Sequence, residues 1–246
     1  VSNAGKIILT VYKDHPVPLD FEQKLKDLGV TILRCPSRYP IALEPLLVKF
    51  VTGRDIPLPM GNSRAVGTAV IDAITALRIV EAVKEGRIST ETTVQVSAFS
   101  RGVNVHVTVA EGILLEELVE QLFPSLENLS KAVIGGSFLG YAQQNFKVPV
   151  TQEADVIVLQ NADELSLYSN QPCINCGFCV RYCPMMLMPN ELSKNCEYNR
   201  FDVAEKNDLF SCIECGICSY VCPARRPMVH LFRFGKQEIL ASKEES

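Results

Sequence analysis

Eight of the ten cysteines stand in two runs near the C-terminus, Cys173-Ile-Asn-Cys176-Gly-Phe-Cys179-Val-Arg-Tyr-Cys183-Pro184 and Cys212-Ile-Glu-Cys215-Gly-Ile-Cys218-Ser-Tyr-Val-Cys222-Pro223. Each reads C-x2-C-x2-C-x3-C-P, the spacing of a bacterial-type [4Fe–4S] site, and two copies predict two [4Fe–4S] clusters. Three cysteines at i, i+3 and i+6 can wrap a turn around one corner of a cubane. A fourth thiolate from the same short turn cannot reach the remaining iron, so it must come from elsewhere. Structural zinc uses four-ligand sets in which the third cysteine and the C-x3-C-P ending have no place. Disulfides do not suit a compartment that keeps thiols reduced.

In two-cluster ferredoxins the cysteine before the proline serves the other cluster. Carried onto this chain, cluster I takes Cys173, Cys176, Cys179 and Cys222, and cluster II takes Cys212, Cys215, Cys218 and Cys183. Gly177 and Gly216 fall at matching positions, where the absence of Cβ allows positive φ and close approach of the backbone. Cys35 and Cys196 lie in no ligand spacing and read as plain structural cysteines. From residue 173 onward nine basic and nine acidic side chains balance, so bound clusters make this part anionic. Arg225, Arg226, His230, Arg233 and Lys236 follow the second run; a solvated helix face is their first reading, and offsetting cluster charge or docking an acidic partner the alternative. Met228, Leu231, Phe232 and Ile239 keep helical spacing, which predicts an amphipathic helix from Pro227 onward.

The elements that must carry these runs read in two further parts. Lys6–Val11 and Val30–Arg34 are strand-like and bracket a helix over 20–28, with Asp20 as N-cap and Gly29 as its stop, a β-α-β unit. A helix over 43–52 ends at Gly53, a strand follows over 66–71, and a helix over 72–85 stops at Gly86 with Ile74, Leu77, Ile79 and Val83 facing inward. Residues 1–88 therefore read as an α/β layer with a parallel sheet, half of a doubly wound nucleotide fold. Over 89–165, Thr92–Ala98 and Val103–Val109 form a hairpin through Ser100-Arg101-Gly102, with Val103, Val105, Val107 and Val109 on one face and His106 on the exposed one. An amphipathic helix over 113–122 and a strand over 132–134 complete the skeleton of a β-grasp. The Gly135–Gly140 segment lacks the G-x-G-x-x-G placement and reads as a tight turn. Residues 166–246 form the α-helical cluster domain.

Composition narrows the function classes. Hydrophobic residues at 47% and charged ones at 21% describe an ordinary folded protein, and a net charge of −4 gives no pull on a nucleic-acid backbone or an anionic bilayer. No stretch approaches the roughly 18 uncharged apolar residues of a spanning helix. The polar N-terminus is unlike a secretory signal, which predicts a cytoplasmic location, and the start without Met is that of a processed chain or a fragment.

A resemblance to a known family covers the whole chain. The text "CIECGICSYVCPARRPMVHLFRFGKQEI" is similar to the C-terminal region of the C subunit of Rnf-type electron transport complexes (RnfC). "RYPIALEPLLVKFVTGRDIP", "VGTAVIDAITALRIVEAVKEGRI", "TVQVSAFSRGVNVHVTVAEGILLEEL" and "VIGGSFLGYAQ" resemble, in order, the second half of the RnfC flavin-binding fold and its soluble-ligand-binding β-grasp (SLBB) domain. The resemblance implies a subunit passing electrons between NADH, a flavin and ferredoxin-type carriers, with redox-protein partners and membrane association only through them. This sequence departs from the family in lacking the Gly-rich loop with a GGAGFP-like core. After Tyr39-Pro40 it runs Ile41-Ala42-Leu43-Glu44-Pro45 in place of the family's glycines, and Asp72-Ala73-Ile74-Thr75 replaces an Asn-Val-x-Thr element, setting a carboxylate where a flavin phosphate prefers a neutral donor. The expected function is an iron–sulfur wire, with FMN only where a partner or a missing segment completes its site. The rival readings are an NADH:acceptor oxidoreductase subunit whose flavin site another chain completes, an RnfC-like donor to a soluble reductase of the cobalamin or amino-acid type, and a cluster-bearing sensor.

Overall fold

The computed structural model describes residues 4–58, 61–124, 129–165, 168–169 and 171–244. The chain divides into two compact units, Val1–Ile71 and Asp72–Ser246.

In the first unit β1 (Ile7–Tyr12) and β2 (Val30–Cys35) pair in parallel, Ile7 opposite Val30 through Tyr12 opposite Cys35, joined by α1 (Leu19–Asp27). Gly29 takes φ +75°, the left-handed turn that stops a helix and that a Cβ would disfavour. Asp20 is not the N-cap: the helix begins at Leu19 behind Pro18, whose ring presets φ, and Asp20 sits in the first turn, where its charge still favours the helix dipole. Cys35 is buried and its thiol donates to the Val11 carbonyl at 3.3 Å, the structural role its isolation suggested. Helix α2 (Glu44–Thr52) ends at Gly53 in the left-handed region.

The expected strand over 66–71 does not form. Ser63–Val66 is a 3-10 turn closed by Gly67 at φ +74°, and the Thr68 amide and hydroxyl both donate back to the Ser63 carbonyl, at 3.1 and 2.9 Å. Those local bonds outcompete an extended ladder. Among the described residues, parallel pairing in this unit is confined to β1 and β2.

The second unit opens with α3 (Ala73–Glu85), capped by Asp72 and stopped by Gly86. Its apolar residues do not face inward: Ile74, Leu77, Ile79 and Val83 are all exposed. A five-stranded mixed sheet follows, in the order β4 (Val103–Ala110), β3 (Glu91–Ala98), β7 (Val156–Asn161), β5 (Leu129–Ile134), β6 (Tyr141–Gln143). The β3/β7 pair is parallel and the others antiparallel. Strict alternation in β4 turns its four valines toward the core and leaves His106 exposed. Helix α4 (Leu115–Leu122) buries Leu115, Leu118 and Val119 against Val94, Val96, Ile157 and Leu159. Each such side chain contributes roughly 1.5–3 kcal/mol by leaving water. A single turn, α5 (Gly136–Leu139), links β5 to β6, entered through Gly135 at φ +94°.

The remainder is helical: α6 (Phe178–Arg181), α7 (Pro189–Glu197), α8 (Phe201–Lys206), α9 (Ile217–Tyr220) and α10 (Met228–Glu244). The predicted stripe of α10 is inward, with Met228, Phe232 and Ile239 buried beside Leu192, Cys196 and Leu209. No helix among the described residues is long and apolar enough to cross a membrane.

Candidate iron–sulfur centres

The two cysteine runs are related by an offset of 39 residues, and the backbone repeats with them. Asn175 and Glu214, each two residues into its run, both take φ +54°. Gly177 and Gly216 follow at +76° and +79°, then Met186 and Arg225 at +55° and +49°. Left-handed non-glycine residues are uncommon, and their recurrence at matched positions marks one loop design used twice. In each copy the glycine opens a one-turn helix, α6 or α9, that turns the third cysteine inward: Cys179 and Cys218 are 4% and 7% exposed. Pro184 and Pro223 then end the turn, and the chain proceeds into α7 and α10.

This topology gathers the cysteines into two cavities. One is walled by Cys173, Cys176, Cys179 and Cys222, the other by Cys212, Cys215, Cys218 and Cys183. Each wall thus has three thiols from one run and one from the other. Among the described residues no three His, Cys, Asp or Glu side chains close on a single point as they do around one ion. Asn190 Oδ1 in the wall of the first cavity is buried without a hydrogen-bond partner. Its Nδ2 donates to Glu191 at 3.1 Å, and the fit to a cluster rests on the four thiols of each wall, the donor set that a [4Fe–4S] cluster takes.

The thiols are held in a weakly polar setting. Burial pushes Cys212 up to about 11 and Cys218 up to about 12, and it also raises Cys179 and Cys215. These groups stay protonated at neutral pH until a metal displaces the proton, so loading the sites releases protons. Cys196, outside both cavities, is fully buried against Gly235 and is raised to about 11 by the same desolvation.

The basic residues after the second run are not a uniformly solvated face. Arg226 is buried, donating to Glu197 and to the Gln171 carbonyl. Arg233 Nε and Lys236 Nζ reach the two carboxylate oxygens of Glu214, at 2.8 and 2.7 Å, and Lys236 also donates to the Cys212 carbonyl at 2.8 Å. Burial works to raise the Glu214 carboxyl, but hydrogen bonds and positive charge from Lys236 and Arg233 outweigh it and hold the group below the usual range. Arg225 and His230 do lie outward, the latter edge-on to Tyr168. Spacing alone had not found Glu214, although a carboxylate inside a cysteine run followed by two cations one turn apart is the signal that could have revealed it.

Residues 172–225 match the family model of the 4Fe-4S dicluster domain. Fold, cysteine walls and this match define an iron–sulfur protein of the electron-transfer class. Over 99% of its length the chain is 29% identical to the C subunit of the proton-translocating ferredoxin:NAD(+) oxidoreductase complex of Clostridium ljungdahlii, of which it covers 54%. It is 32% identical over 83% of its length to the C subunit of the ion-translocating oxidoreductase complex of Rhodobacter capsulatus, covering 39% of that protein. To the C subunit of the Na(+)-translocating ferredoxin:NAD(+) oxidoreductase complex of Acetobacterium woodii it is 28% identical over 89% of its length, covering 49%. The chain is RnfC-like, and it spans about half or less of the length of these relatives.

Proposed function

We propose that this chain is the electron-conducting part of an Rnf-type assembly, holding two [4Fe–4S] clusters with crossed ligation. Cys173, Cys176, Cys179 and Cys222 hold the first, and Cys212, Cys215, Cys218 and Cys183 the second. The observation that carries this reading is the three-plus-one composition of both cavity walls. When bound, the clusters would supply one-electron carriers. The chain's own residues supply thiolate ligands, a buried apolar shell from Leu192, Val229 and Phe232, and a cationic pair, Arg233 and Lys236, beside the second loop. No side chain here is assigned a proton or group transfer.

The partners are redox proteins: a flavin- or ferredoxin-type donor and an acceptor within the complex, on the cytoplasmic face of its membrane. The names of the three relatives, which pair ferredoxin with NAD(+) or state ion translocation, support redox partners within a complex. We read the mixed sheet as the SLBB-like β-grasp, since its order places the first and last strands side by side and parallel at the centre. The β1-α1-β2 crossover supports reading the N-terminal part as half of a flavin-fold layer. FMN would bind only with a partner or a further segment. Anaerobic purification with iron and sulfide analysis tests the reading: about eight irons per chain and no zinc are expected. About four irons, or zinc in both cavities, overturns it. Flavin released on denaturation together with bleaching by NADH would favour the rival oxidoreductase, because hydride transfer needs a two-electron acceptor.

A further inference from the structure

The repeat makes the two cysteine loops near-copies, so what differs between them stands out. A Cβ on Gly177 would meet nothing within 4 Å, whereas one on Gly216 would lie 3.0 Å from Phe138 Cδ1 and 3.1 Å from the Phe138 carbonyl oxygen. Cys176 is correspondingly exposed and its counterpart Cys215 is buried. The covering residue comes from α5, the turn between β5 and β6, and its ring also meets Tyr220 edge-on at 5.4 Å. A second pair of matched positions explains why the turn stays there. In the first copy Lys194 Nζ donates to Asn175 Oδ1 at 3.3 Å and to Glu191, and goes no further. In the second, Arg233 replaces the lysine and Glu214 the asparagine. The guanidinium donates from Nε to Glu214 at 2.8 Å and from Nη2 to the Leu139 carbonyl at 3.1 Å, with its centre 4.2 Å from the Tyr141 ring centroid. An ammonium is a single point and cannot span a carboxylate, a carbonyl and a ring face together; a planar fork can.

We propose that Arg233 is a positioning residue that clamps the β5–β6 corner, Phe138 to Tyr141, over the 212–216 loop and so covers Gly216 and Cys215 of the second site, while the matched Gly177 and Cys176 of the first stay uncovered. The clamp acts through Glu214, which it holds within the cysteine loop, and through Phe138, which fills the space above Gly216. The two sites are thereby unequal in access to water and to small oxidants. The inference rests on the proposed cluster binding, and the sheet domain becomes a working cover for the cluster domain.

Hydrogen exchange on the anaerobic, cluster-loaded chain tests it, with the 174–178 loop as internal control. In the unmodified chain the amides of 213–217 should exchange far more slowly than those of 174–178. Phe138→Ala and Arg233→Gln should each speed exchange in 213–217 and in 136–141 by about tenfold, leaving 174–178 unchanged, and Arg233→Lys should not rescue it. Air should then destroy the second site's electron paramagnetic resonance signal faster in these variants, with the first site's rate unaltered. Should Arg233→Gln fail to load, Tyr141→Leu, which removes only the ring beneath the guanidinium, gives the same reading, and Tyr141→Phe should behave as the unmodified chain. Equal protection of the two loops, or variants that load both clusters yet leave 213–217 unchanged, overturns the clamp alone. A chain that binds no pair of clusters overturns the function it rests on instead.

Discussion

Asp72 spends both carboxylate oxygens on one residue: Oδ1 accepts the Thr75 backbone N–H at 2.7 Å and Oδ2 its hydroxyl at 2.6 Å. The carboxylate that seemed set against a phosphate is the N-cap of α3.

Its pKa is lowered, first by the Thr75 hydroxyl and then by the Thr75 amide. A depressed carboxyl contributes stability that is fully present above the unfolded value near 3.8 and lost as the pH falls through the folded one. At pH 7 the whole capping contribution is therefore in force. Asp72→Ala should cost about 1 kcal/mol and Asp72→Asn clearly less, because an amide oxygen still caps. Urea unfolding at pH 7 checks the order, and equal costs would mean the cap is idle.

Crossed ligation predicts damage at a distance in sequence. Cys183→Ala, a change in the first run, should abolish the cluster walled by Cys212, Cys215 and Cys218, and Cys222→Ala should abolish the other. Iron content should fall from about eight to about four in each. If the paramagnetic signal lost in Cys183→Ala is the one disturbed by Cys176→Ala, the assignment is uncrossed.

Gly235 lies inside α10, where replacing glycine by alanine ordinarily adds up to about 1 kcal/mol. Here the sign reverses. The new Cβ would stand 2.6 Å from Cys196 Sγ and 3.3 Å from Leu209 Cδ2, so overpacking should cost about 1–3 kcal/mol. Cys196→Ala in the same chain should recover most of that loss with iron content intact. Loss of iron in the single Cys196→Ala variant would show that this thiol is more than packing.

The Arg226–Glu197 pair is lopsided, with an arginine side chain 4% exposed and a glutamate 38% exposed. Removing the glutamate strands a buried charge, whereas removing the arginine leaves a carboxylate that water can reach. Glu197→Ala should therefore destabilise by about 3 kcal/mol and Arg226→Met by less. Thermal unfolding of the loaded protein gives the ranking, and the opposite order would show that packing of the guanidinium outweighs its charge.

Much of the molecule was legible where a residue type has a single local use. Gly29, Gly53 and Gly86 stopped helices at the expected places, and the alternating valines of β4 gave strand and face together. The misreadings have a common origin in competition between local and distant partners. Residues 66–71 have strand composition, but Gly67 and the Thr68 bonds to Ser63 turn the chain away. Asp20 looked like a cap because nothing in its type reveals that the helix already begins at Leu19, behind Pro18. The roles of Arg226 and Arg233 depend on Glu197, Glu214 and Leu139, which no short-range pattern connects to them.

Sharing a wall residue in each direction also sets how the cysteine domain fails. Each run ends in a thiol that walls the other run's cavity. A chain cut between the two runs would not be a carrier with half its capacity, since each half would retain three thiols of one set and one of the other. Neither run makes a complete set alone.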